Sequence, residues 1–146
     1  MLYAGAMKPI TVSVRIAAPV DTVWEQYTET EHVMRWNHAS DEWHCPDAEN
    51  DLRVGGTFRY RMEAKDGSDG FDFSGTYTEV IPHERIAYRM EDGRTALVAF
   101  IEEGEMTTVA IAFDPEDENP RELQRQGWQA ILESFKRECE AGHQRS

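Results

Sequence analysis

Four residues of zinc-ligand type, His38, Asp41, His44 and Cys45, fall within eight positions of one another. Their spacing does not make a metal centre. Neither histidine has a second on the same helical face, and no further Cys/His pair completes four ligands, so an exposed loop is the simpler reading and no metal is expected. Cys45 has only His44 beside it to lower its pKa, and no GxSxG elbow supplies a serine nucleophile. General acid or base chemistry needs a titratable group inside an apolar cavity, where desolvation can move its pKa toward neutrality. His38, Glu63, Asp72 and Glu79 are of the right type, but each could equally face water. The residues assemble no catalytic set and call for no cofactor.

A different set has the makings of a binding pocket. Phe58, Tyr60 and Met62 alternate with Arg59, Arg61 and Glu63, then Phe71, Phe73, Gly75 and Tyr77 share one parity, and Tyr88 follows. Near the C-terminus Leu123, Gly127, Trp128, Ile131, Leu132, Phe135 and Cys139 recur at spacings of three and four and define one apolar stripe. Leu123, Leu132 and Cys139 read as plain core. Gly127 differs, because glycine inside a helix costs about 1 kcal/mol relative to alanine. Close approach of a strand, or of a ligand beside Ile131, would each account for it, and Gly75 in mid-strand repeats the question. Trp128 suits a cavity wall, with core packing as the alternative. Buried Tyr60 and Tyr77 must find hydrogen-bond partners, from the protein or from a ligand oxygen.

The elements that would position these residues read as α+β. Ile10, Val12, Val14 and Ile16 alternate as a half-buried strand. A short helix follows Pro19 through Val20, Val23, Trp24 and Tyr27, and a second carries Val33, Met34 and Trp36 from a Thr30 cap to Asn37. Residues 40–55 are polar and acidic and read as a loop with one short strand around Trp43. Hairpins then follow one another: strands around Phe58 to Met62, around Phe71 to Tyr77 and Ile86 to Met90, then Thr95 to Ile101 and Met106 to Phe113. Asn119-Pro120-Arg121-Glu122 predicts a capped start for a long helix ending near Glu140, with Gly142 as its stop.

With 146 residues the chain suits one domain, a 7–140 core with 1–6 and 141–146 as flexible ends and Met7 as an alternative start. Asp and Glu number 28 against 15 Lys and Arg, a net charge of −13 that disfavours nucleic acid and anionic membranes. Two distant cysteines build no disulfide framework. The opening MLYAGAMKPITV lacks the pattern of a secretory signal, so the cytoplasm is the expected compartment.

Ala18-Pro19 before Val23-Trp24, then Trp36, Gly55-Gly56 with Phe58, Gly75-Thr76-Tyr77-Thr78-Glu79-Val80 leading to Pro82 and Arg85-Ile86, and Gly127-Trp128 carry a resemblance across nearly all of Met7 to Glu140. The chain resembles the START-like (SRPBCC) helix-grip superfamily, and within it the family named after the C-terminal domain of the activator of Hsp90 ATPase. The resemblance implies a curved antiparallel sheet of six to seven strands around a long C-terminal helix, with two short helices after the first strand. It implies a cavity between sheet and helix that binds hydrophobic small molecules in many members, and it places Trp36 near the cavity mouth. Cyclase or hydrolase chemistry in that cavity is the alternative, and an Hsp90 partner is a third reading carried by the family name alone. Fold does not choose among them.

Overall fold

The computed structural model describes residues 8–145, with side chains as far as Gly142; residues 1–6 and Met7 lie outside the described residues. The chain runs β1 (Ile10–Ile16), α1 (Val20–Thr28), α2 (Thr30–Trp36), β2 (Trp43–Asn50), β3 (Thr57–Ala64), β4 (Gly70–Ile81), β5 (Arg85–Met90), β6 (Thr95–Glu103), β7 (Met106–Phe113) and α3 (Arg121–Arg145). The strands form one antiparallel sheet in the order β1-β7-β6-β5-β4-β3-β2. This is the α+β helix-grip architecture, with the sheet curved around α3. No helix among the described residues is long and apolar enough to cross a membrane.

Period-two patterning explains the sheet. In β1, Ile10, Val12, Val14 and Ile16 are buried while the residues between them are exposed, and β3 and β7 repeat the alternation. The inward residues meet Leu132, Phe135 and Cys139 of α3, all 2 % exposed or less, in one core. β1 is an edge strand, and α3 takes up backbone groups that β7 does not reach. Gln129 Nε2 donates to the Ser13 carbonyl at 3.0 Å and Lys136 Nζ to that of Arg15 at 2.6 Å, while Glu140 accepts the Ala17 N–H at 2.9 Å. These bonds fix the helix along the sheet and thereby the width of the space beneath it.

Four local expectations change. The short strand around Trp43 is an eight-residue edge strand, β2. It tolerates Pro46 because the register shifts between His44 and Asp47, and its outward acids are paired, Arg59 reaching Asp47 at 2.7 Å and Glu49 at 3.0 Å. Asn119 does not cap α3: its amide and backbone N–H both go to the Glu116 carboxylate, and Glu122 pairs with Arg125 instead of closing a capping box. The first helical bond runs from Gln124 N–H to the Pro120 carbonyl at 3.2 Å. The helix also passes through Gly142 to Arg145, because one glycine costs about 1 kcal/mol and does not by itself break a ladder. Leu123, in the apolar stripe, is 55 % exposed, since it lies in the first turn of α3.

Gly127 is neither a close contact nor a cavity wall: a methyl group built on it meets no atom within 4 Å. Helix propensity then acts alone. Gly127→Ala is expected to stabilise the fold by about 1 kcal/mol, seen as a higher urea midpoint at unchanged slope.

Candidate functional site

Under α3 the sheet leaves a cavity of about 280 Å³, and half of the residues lining it are aromatic. Its centre is Phe58 on β3, whose ring centroid lies 5.1 Å from Tyr60, 5.3 Å from Tyr77, 5.5 Å from Phe73 and 4.9 Å from Tyr88. Register creates this cluster. Phe58 pairs across to Gly75, Tyr60 to Phe73, and Tyr77 to Tyr88, so alternate residues of three neighbouring strands present their rings on one face. The helix supplies the opposite wall through Trp128, Ile131 and Leu132. Trp128 stacks on Phe113 at 3.9 Å and meets Phe73 edge-on at 6.0 Å. Tyr27 and Trp36 also border the cavity. They stack at 5.1 Å against the edge of Phe135, and the Trp36 indole N–H is satisfied by the Gln26 carbonyl at 2.8 Å.

Polar groups are few and ordered. Tyr77 donates to Asn50 Oδ1 at 2.5 Å, and Asn50 Nδ2 donates to the Thr28 carbonyl at 2.7 Å, tying β4 through the end of β2 to α1. Burial pushes the phenols of Tyr60 and Tyr88 well above the ordinary tyrosine pKa, raises Tyr27 as well, and takes Tyr77 up to about 12. All four are neutral at physiological pH, so they can give hydrogen bonds but not serve as bases. Arg94 is the one charged residue in the lining among the described residues. It is carried into place by the turn at Gly93, whose φ of 94° suits glycine.

Of the residues singled out from sequence, Trp36, Phe58, Tyr60, Phe73, Tyr77, Tyr88, Trp128 and Ile131 all line this cavity. Gly75 and Gly127 do not. Gly75 is consumed by packing, because a Cβ there would stand 2.6 Å from the Arg89 carbonyl oxygen and 2.9 Å from the Phe58 ring. The glycine lets the central ring lie flat on β4. Trp36 is only 4 % exposed, so it is a buried wall rather than a rim residue. Phe71 takes the rim, 51 % exposed with its ring 5.9 Å from that of Trp43.

Sequence reasoning missed Tyr27, Asn37, Asn50 and Arg94 as lining residues. Tyr27 was legible as part of the apolar face of α1, whereas Asn50 and Arg94 stand in acidic, turn-like stretches that resemble solvent loops.

The groups weighed for chemistry lie elsewhere. His38 contacts Ser134 Oγ at 3.3 Å, and its pKa is lowered chiefly by burial. Glu63 pairs with Arg61 at 2.9 Å, Asp72 stands 3.5 Å from both Arg59 and Arg61, and Glu79 pairs with Arg85 at 2.8 Å. Cys45 is buried, and desolvation pushes its thiol up to about 11, away from nucleophilic reactivity. His38, Asp41, His44 and Cys45 do not converge. Among the described residues a different group, Glu29, Glu31 and His32, brings ligand atoms within 4.8 Å of one another, with both acids exposed.

Comparison with known proteins agrees with this architecture. A family model described as activator of Hsp90 ATPase homolog 1-like protein matches residues 17–140. The solution structure of an AHSA1-like protein from Aeromonas hydrophila is 40 % identical, with 92 % of this chain and 94 % of that one covered and a TM-score of 0.85. A protein from Cytophaga hutchinsonii is 47 % identical over 94 % of this chain and 96 % of its own, with a TM-score of 0.79. One from Nitrosomonas europaea, 22 % identical with 94 % and 97 % covered and a TM-score of 0.79, shares the fold. No curated protein matches the chain. With most of its length matched by the family model and two solved relatives above the level at which sequence alone argues kinship, the chain belongs to the activator of Hsp90 ATPase homolog 1-like family, within the START-like superfamily.

Proposed function

We propose that the protein binds a small, ring-bearing hydrophobic molecule in the cavity between the sheet and α3. The observation that carries this reading is the cavity itself, about 280 Å³ and half walled by aromatic residues in a protein otherwise packed around Phe135, Phe113 and Val98. Ligand pockets start near roughly 300 Å³, and an apolar cavity of about 150 Å³ accommodates benzene. The volume therefore favours one or two fused rings over a long acyl chain. Aromatic walls offer edge and face contacts to such a ligand, and the neutral phenols offer hydrogen bonds at fixed points.

Catalysis in the same cavity finds less support. No carboxylate or imidazole is among the lining residues, and the tyrosines are shifted away from neutrality. The Hsp90 reading rests on the family name, and no feature of the described surface adds to it.

Calorimetric titration with a neutral bicyclic probe, naphthalen-2-ylmethanol, tests the proposal. The expected result is saturable binding at one site per chain. Absence of heat and of tryptophan fluorescence change up to the probe's solubility limit would sink it.

A further inference from the structure

Within an aromatic cavity a lone arginine asks for an explanation. Arg94 is three-quarters buried, with 25 % of its side chain exposed, and its guanidinium is only partly used. Nε donates to Asp92 at 2.8 Å and one terminal nitrogen donates to the Asp114 carbonyl at 3.1 Å. The second terminal nitrogen has no partner among the described residues. The neighbouring acids, Asp92, Asp114 and Glu116, make no hydrogen bond to that nitrogen, and the Glu116 carboxylate is taken up by the Glu118 and Asn119 N–H groups and the Asn119 amide. Asp92 spends one oxygen on Nε and the other on the Arg94 N–H at 3.1 Å, and the Asp114 carboxylate is spent on the Thr95 N–H and hydroxyl at 2.9 and 3.0 Å.

A second donor lines the same cavity. Tyr88 also lines the cavity, is 5 % exposed, and its hydroxyl has no protein partner among the described residues. The Arg94 charge is close enough to act on the Tyr88 phenol, which burial keeps protonated. A guanidinium N–H and a phenol O–H, both unspent and both on one cavity wall, match the two oxygens of a carboxylate. Among the described residues no acid lines the cavity, and Arg94 is the only charged lining residue.

Resting on the binding role proposed above, we propose that the cavity's ligand is an aromatic carboxylic acid, its rings among Phe58, Phe73 and Trp128 and its carboxylate held by Arg94 and Tyr88. The overall charge of −13 opposes anions at long range, so the selectivity comes from these two donors inside an apolar site, where a hydrogen bond to an ion strengthens.

Two probes of one shape separate this inference from the reading beneath it. 2-Naphthoate and naphthalen-2-ylmethanol share the ring system and differ in charge. In the wild-type protein near neutral pH the acid is expected to bind at least about tenfold more tightly than the alcohol, a ratio worth about 1.4 kcal/mol. The ratio should fall close to one in Arg94→Met, recover partly in Arg94→Lys, and shrink in Tyr88→Phe, whatever happens to either absolute affinity. Equal affinities in the wild type overturn the carboxylate inference and leave cavity binding standing. Binding of neither probe overturns both. A preference for the acid that persists undiminished in Arg94→Met, with saturation still at one site, also overturns the assignment. Because the wild-type ratio is decisive alone, a variant that fails to fold does not stall the test.

Discussion

Phe135→Ala should lose about 3–5 kcal/mol of stability and, with it, the support behind Tyr27 and Trp36 in the cavity wall. Phe135 is completely buried, and its ring meets Tyr27 at 5.2 Å and Trp36 at 5.0 Å. Truncation removes the transfer free energy of the ring and leaves a void that α1, α2 and α3 cannot all close, since each is held by its own bonds to β1, β2 or its neighbours. Domains of this size are stable by only about 5–15 kcal/mol, so the variant stands near the edge of unfolding. Leu123→Ala is the internal control. It lies on the same apolar stripe about three turns earlier, is 55 % exposed, and should change stability by less than about 0.5 kcal/mol. Urea denaturation of the two variants beside the wild type reads the contrast, and a loss below about 1 kcal/mol for Phe135→Ala would contradict the packing described.

Ile131→Trp is expected to abolish ligand binding while the fold remains. Ile131 is half-buried on α3 and lines the cavity together with Phe58 and Tyr60. An indole in its place fills space that a ligand would otherwise occupy, and Ile and Trp have similar helix propensity, so the substitution tests volume rather than backbone preference. In a closely packed core the same enlargement costs about 1–3 kcal/mol. In a site with about 280 Å³ to spare it should cost little. The expected outcome is a loss of naphthalen-2-ylmethanol affinity of tenfold or more with a urea midpoint at or above that of the wild type. Destabilisation with unchanged affinity would place the ligand elsewhere.

Six of the seven strands and the long helix were legible because the sheet buries one face and the helix one stripe, and both leave a period in the chain. β2 was legible only as a short strand around Trp43 and not over its full eight residues, since this edge strand keeps mostly polar residues and relies on Arg59 to neutralise its acids. The aromatic half of the site followed from strand parity alone: Phe58, Tyr60, Phe73, Tyr77 and Tyr88 share a face because hairpins preserve it. The polar half depends on distances between remote segments. Asn50 reaches Tyr77 only through the register of β2 on β3, and Arg94 enters the cavity only because the β5–β6 turn folds it inward. The glycines misled for a physical reason. A missing side chain signals either a close neighbour or empty space, and the chain supplies the first at Gly75 and the second at Gly127.

The four tryptophans report directly on where a ligand sits. Trp36 and Trp128 line the cavity, whereas Trp24 packs on Phe100 and His83 outside it and Trp43 lies behind Phe71. In a ¹⁵N-labelled sample titrated with naphthalen-2-ylmethanol, the indole N–H signals of Trp36 and Trp128 should shift along one saturable isotherm while that of Trp24 stays in place. Saturable shifts led by Trp24, or no shift at Trp36 and Trp128 while the probe binds, would contradict a ligand site between the sheet and α3.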